Sequence, residues 1–102
     1  MQEELNYIKE VCSSFFPDCK IVLFGSRANQ YYEDNSDYDF MIITKDELSA
    51  KEKLNYKAEI RKILANRKIP VDVFIQSKTE VDRKKNIIGH IVKQAVTKGI
   101  VL

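Results

Sequence analysis

Between Phe24 and Phe40 the chain carries Gly25-Ser26 and, after ten intervening residues, Asp37-Tyr38-Asp39. Residues two apart on a strand share a face, so Asp37 and Asp39 point one way and Tyr38 the other. Two carboxylates held side by side repel unless a proton or a cation lies between them. Hard divalent cations such as Mg²⁺ take oxygen ligands of this kind, commonly with phosphate oxygens completing the shell. A Gly-Ser turn feeding a helix offers backbone N–H groups and a hydroxyl, donors suited to a phosphate. A phosphate cradle beside metal-holding carboxylates is the equipment of phosphoryl or nucleotidyl transfer. At average residue frequencies, this pair at one fixed spacing arises by chance about once per thousand chains of this size. The plainer alternative is a Gly-Ser turn and a solvated acidic loop, and the apolar runs flanking both motifs weigh against it.

A third carboxylate stands in Val71-Asp72-Val73-Phe74-Ile75-Gln76. Val71, Val73 and Ile75 alternate onto one face, and Asp72 shares the other with Phe74 and Gln76. Such a carboxylate is costly to bury unless paired or metal-bound. Taken alone, a salt bridge with Arg67 or Lys68 explains it best. Beside Asp37 and Asp39 the balance reverses, because a two-metal site commonly needs a third carboxylate.

These residues need elements to position them. Glu3 to Phe16 carries Leu5, Ile8, Val11, Cys12, Phe15 and Phe16 at helical spacing, and Pro17-Asp18 ends it. Cys19 to Phe24 reads as a buried strand, Ser26 to about Gln30 as a short helix, Glu33 to Ser36 as a polar loop, and Tyr38 to Thr44 as a second strand. Ser49 with Glu52 forms a capping box opening a helix to about Asn66, and Val71 to Gln76 is the third strand. Ser77 with Glu80 repeats the capping box. Asn86 and Gly89 interrupt the helical structure that follows. A last helix runs to about Lys98, with Gly99 as its C′ cap and Ile100 to Leu102 as a short edge strand.

Bringing the motifs together fixes a topology. Gly25-Ser26 ends the first strand and Asp37-Tyr38-Asp39 opens the second, so these two strands must be antiparallel. Asp72 also opens its strand, so the third must run parallel to the second, with the helix at 49–66 as the crossover. The expected fold is α/β (α+β): a mixed sheet of three main strands, a short C-terminal edge strand, and flanking helices.

The 102 residues suit a single domain over 1–102, with 44% apolar and 31% charged residues. No apolar run approaches a membrane span and the N-terminus lacks a signal-peptide pattern, so no membrane partner is expected. Cys12 and Cys19 are in neither metal nor redox spacing and read as reduced thiols in a cytoplasm. Net charge is +2, from 17 basic and 15 acidic residues. That is mildly favourable for a polyanionic substrate and too weak to argue for nucleic acid.

Gly25-Ser26-Arg27-Ala28, Ser36-Asp37-Tyr38-Asp39-Phe40 and Val71-Asp72-Val73 together resemble the DNA polymerase β-like nucleotidyltransferase superfamily, and at this length its minimal nucleotidyltransferase (MNT) branch. The resemblance covers nearly the whole chain. Many relatives have Gly where this chain has Gln30, which affects the loop and leaves the carboxylates intact. The resemblance implies transfer of a nucleoside monophosphate from an NTP, with AMP from ATP expected, assisted by two Mg²⁺ ions. It implies that Asp37 and Asp39 hold the ions bridging the triphosphate and that Asp72 completes the catalytic ion's shell and helps deprotonate the acceptor hydroxyl. Gly25 and Ser26 would grip the distal phosphates. Arg27 would neutralise triphosphate charge or else face solvent. MNT proteins of this kind often serve as antitoxins to a HEPN-domain toxin, which makes a HEPN-type partner protein the expected acceptor and leaves a homo-oligomer open. Two other readings stay open: a module that masks a toxin without catalysis, and a transferase acting on a small molecule. Tyr31 and Tyr32 could contact base or partner, though packing over the sheet explains them as well. His90 reads as structural or exposed, and Arg83-Lys84-Lys85 as a solvated face.

Overall fold

The structure, a computed structural model, describes residues 2–28, 36–87 and 90–102. Gln30, Tyr31, Tyr32, most of the expected 33–36 loop and Gly89 lie outside the described residues. Helix α1 (Gln2–Phe15) leads through Pro17-Asp18 into β1 (Lys20–Phe24), and a 3₁₀ turn (Gly25–Ala28) follows directly. Then come β2 (Tyr38–Thr44), α2 (Ala50–Asn66), β3 (Val71–Ser77), α3 (Lys78–Lys84), α4 (Ile91–Lys98) and β4 (Ile100–Val101).

The sheet order is β3-β2-β1-β4. Strand β1 is antiparallel to β2 and β4, and β2 is parallel to β3, as the shared position of the motifs required. Two local devices fix the start of α2 and α3. Ser49 and Glu52 exchange both capping-box hydrogen bonds, and Ser77 and Glu80 do the same. Each box satisfies helix N–H groups that have no partner within the helix.

Alternation along the strands divides the core. Ile21, Leu23, Tyr38, Phe40, Ile42, Val71, Val73 and Ile75 face α1 and α2. Val22, Phe24, Met41 and Ile43 face the other side, where Val92 and Ala95 of α4 cover them. Central strand β2 is buried at every position except Asp39. Cys12 and Cys19 are free thiols; burial first, and the neighbouring Cys19 second, push the Cys12 thiol up to about 12, which leaves it inert. Among the described residues no helix is long and apolar enough to cross a membrane.

Two local expectations need correction. The short helix after β1 is a 3₁₀ turn that begins at Gly25, not a helix from Ser26. Gly99 is not a left-handed cap: its φ is −79° and its ψ 163°. Glycine is needed there because a Cβ would lie 2.3 Å from both the Ala95 carbonyl oxygen and Val22 Cγ1. His90 lies just outside α4 as its N-cap, with Nδ1 accepting from the Val92 N–H at 3.1 Å.

A candidate active site at one end of the sheet

The strand register builds the site. Phe24, the last residue of β1, lies opposite Asp39, and Asp39 lies opposite Asp72. Asp39 and Asp72 therefore stand side by side on adjacent strands and project from the same face. A hydrogen bond from Tyr38 N–H to the Pro70 carbonyl, 2.9 Å, pins β2 to the segment before β3 at this end. Pro70 has no N–H to donate, but its carbonyl is free to accept.

Gly25 carries the chain away from β1 at φ 71°, a left-handed conformation that side chains rarely adopt. The same residue lies against Asp39: a Cβ on Gly25 would sit 2.2 Å from Asp39 Oδ2 and 3.0 Å from its Cγ. The Gly-Ser turn and the Asp-x-Asp strand thus meet in space, main chain against carboxylate.

Asp39 is partly buried, whereas Asp37 and Asp72 are exposed. Burial first, then the negative charge of Asp72, then that of Asp37, raise the Asp39 carboxyl above its ordinary range. A cluster with this electrostatic profile favours any cation that enters it. The fit to divalent metal rests on that hard oxygen donor set. Among the described residues no three potential ligands already converge on one point, so Asp39 and Asp72 are the adjoining pair and Asp37 stands to the side. The salt bridge from Asp72 to Arg67 or Lys68 is not found among the described residues. Arg67 instead lies over the Tyr7 ring, 4.2 Å from its centroid.

Of the two expectations for Arg27, neutralising triphosphate charge or facing solvent, the second fails: it is only 7% exposed. Its Nε donates to the Ser36 carbonyl at 2.9 Å, and its guanidinium lies 4.4 Å from the centroid of the Tyr38 ring. Tyr38 in turn donates from its hydroxyl to Glu4 Oε1 at 2.8 Å. A polar chain from α1 through Tyr38 to Arg27 thus braces the backbone on both sides of Asp37, from the face opposite the carboxylates. Alternation around Tyr38 signalled that it faces inward, but no local pattern signalled its partners. The Arg83-Lys84-Lys85 run is a solvated face, Arg83 pairing with Glu47, Lys84 bonding Gln76 and Lys85 meeting Asp82.

A central carboxylate strand, a glycine turn laid against it and a third carboxylate on the parallel neighbour define a nucleotidyltransferase-type α/β domain. The profile of the family described as "Polymerase beta, Nucleotidyltransferase" matches residues 6–101, and the chain belongs to that family. The fold is similar to a crystal structure of a mutant of the toxin–antitoxin MntA-HpeT, with a TM-score of 0.60 and 21% identity over 94% of this chain and 69% of that one. It is also similar to a candidate nucleotidyltransferase from Sulfolobus solfataricus, with a TM-score of 0.54 and 26% identity over 99% of this chain and 78% of that one. No curated protein matches the chain significantly.

Proposed function

We propose that this nucleotidyltransferase moves a nucleoside monophosphate, AMP from ATP, onto a hydroxyl of a partner protein, and that the partner is a toxin of the HEPN type. The observation that carries the chemistry is the Asp39–Asp72 pair, in register on one face with the Gly25 turn packed against it. The MntA-HpeT likeness supports the toxin–antitoxin setting.

Asp37, Asp39 and Asp72 are the residues to hold Mg²⁺, and Gly25 and Ser26 to meet the distal phosphates. Divalent cations in that position supply charge neutralisation for the triphosphate and acidify the attacking hydroxyl. The acceptor oxygen forms a bond to the α-phosphorus as the bond between that phosphorus and the α–β bridging oxygen breaks. Pyrophosphate leaves with the electron pair. Asp72, exposed at the edge of the carboxylate face, takes the hydroxyl proton and passes it to solvent. Partly buried Asp39 is positioned against the turn rather than against an incoming acceptor. Arg27 acts from behind, holding the Ser36 carbonyl so that Asp37 stays in place.

The test compares Asp72→Asn with Asp39→Asn. Asp72→Asn is expected to keep MgATP affinity, measured by titration calorimetry, while failing to add an AMP-sized mass to the protein encoded beside it. Asp39→Asn is expected to lose both. Asp72→Asn should melt no lower than the native chain, because removing one of three like charges relieves repulsion. A neighbour protein that is bound and inhibited by the native chain but never modified would replace catalysis with masking. ATP binding of equal strength in EDTA would refute the metal site.

A further inference from the structure

Outside the carboxylate face lies a groove of about 720 Å³, within the usual range for ligand sites. The second half of α2 contributes Arg61 and Lys62 to it, the α2–β3 connection contributes Lys68 and Pro70, and Asp37 closes one wall. Gly25, Asp39 and Asp72 are not among its lining residues, although Val71, which is, directly precedes Asp72. The groove therefore lies on the α2 side of the sheet, on the face opposite Asp39 and Asp72, and reaches their end of the sheet at Asp37 and Val71.

Its described lining is basic. Among the described residues, Arg61, Lys62 and Lys68 take part in no ion pair, in contrast to Lys53, Arg83 and Lys85. The one carboxylate on its wall among the described residues, Asp37, is itself a proposed metal ligand.

Lys68 adds an independent observation. The Lys68 N–H bonds the Ala65 carbonyl at 2.9 Å and the Ile69 N–H bonds the Leu64 carbonyl at 3.0 Å. Leu64 and Ile69 are buried in one core cluster, which completes a Schellman ending for α2. The left-handed position of that motif is Lys68, at φ 59°, and Lys68 is the one described non-glycine residue with positive φ. Glycine would close the same turn without strain. What lysine adds is an ammonium group at the mouth of the groove, and a strained backbone is a reason to look for function there.

We propose that this groove is the acceptor's docking site and that it receives an acidic stretch of the partner protein, whose hydroxyl then reaches Asp72 past Asp37, around the end of the sheet. The proposal rests on the transferase reading above and names the chemistry of its acceptor. Three unpaired cations select an acidic partner and exclude a basic one. The floor of Ile69, Pro70 and Val71 suits the apolar atoms of a polypeptide. A nucleic acid fits less well: among the described residues no aromatic side chain lines the groove for base stacking, and three cations fall short of the ~6–10 phosphate contacts of a typical nucleic-acid binder.

The test uses the full chain and a random glutamate–tyrosine copolymer as a soluble acidic polypeptide bearing hydroxyls. A lysine–tyrosine copolymer and a single-stranded RNA serve as competitors. Binding is read by fluorescence anisotropy, MgATP affinity by calorimetry, and stability by thermal melting. The native chain is expected to bind the acidic copolymer in preference to both competitors. The double reversal Arg61→Glu/Lys62→Glu is expected to weaken that binding by ~10-fold or more, a loss equal to one ordinary interface contact. Lys68→Gly is expected to weaken it too while melting at or above the native temperature, so lost folding cannot explain the result. Both variants should keep native MgATP affinity. Unchanged copolymer binding in the variants overturns the proposal, as does a preference for RNA. MgATP affinity that falls in step with copolymer binding reassigns the groove to the triphosphate. A native chain that binds no MgATP refutes the transferase reading itself, and the acceptor role with it, whatever the copolymer does.

Discussion

Replacing Gly25 with alanine tests the contact on which the site is built. Two separable penalties arise. An L-residue held at φ 71° costs about 1–2 kcal/mol. The new Cβ would lie 2.2 Å from Asp39 Oδ2, 3.0 Å from Cγ and 3.1 Å from Cβ, so the whole Asp39 side chain must move. A side chain driven ~30° off its rotamer costs roughly 0.5–1.5 kcal/mol. The expected loss is about 2–3 kcal/mol, or a fall in melting temperature of roughly 10–20 °C for a domain of this size. A typical domain has 5–15 kcal/mol in reserve, so the variant should still be folded at room temperature. It should nevertheless bind MgATP weakly, because the displaced carboxylate is Asp39. The assay is urea unfolding of Gly25→Ala in two backgrounds, native and Asp39→Ala. In the second, Oδ2 and Cγ are gone, leaving the backbone penalty and the milder 3.1 Å approach to the residue 39 Cβ, so the cost should drop by about 1 kcal/mol. Equal costs in the two backgrounds, or a cost below about 0.5 kcal/mol in the native one, would refute the reasoning.

Two further outcomes follow from the same structure. Glu80 is buried, which opposes its charge, but the Lys53 ammonium at 2.6 Å and the Ser77 N–H outweigh that and hold its carboxyl below the usual range. A depressed carboxyl stabilises the fold above its unfolded pKa and loses that contribution as pH falls through the folded value. Glu80→Gln should therefore cost about 2 kcal/mol at neutral pH, with the gap to the native chain closing below about pH 4; a gap independent of pH in urea titrations would refute the ion-pair account. Arg27→Met removes a buried charged hydrogen bond and a cation–π contact, and should lower stability by about 2–3 kcal/mol while weakening MgATP binding through Asp37. Native MgATP affinity in that variant would refute the bracing role.

The sequence by itself determined the elements that bear the chemistry. Alternation placed Asp72 opposite Val71 and Val73 in face, and the two Ser-x-x-Glu boxes marked the starts of α2 and α3, because these signals depend on local backbone geometry alone. Requiring Gly25-Ser26, Asp37, Asp39 and Asp72 to share one end of a sheet was enough to orient three strands. Only the tertiary structure decided what surrounds them. The sequence left Arg27 open between the triphosphate and solvent, and its burial depends on Tyr38 and the Ser36 carbonyl, the latter nine residues away in sequence. Gly99 resembled an ordinary helix cap until Val22, on another strand, was seen to occupy the space a side chain would need. Lys68 carried no sequence signal, since positive φ at a lysine is set by the buried packing of Leu64 and Ile69 around the turn. The groove's charge was likewise unreadable from a chain with net charge +2. Folding gathers Arg61, Lys62 and Lys68 on one groove, with no ion-pair partner among the described residues, and sets them beside Asp37, which lies far from them in sequence.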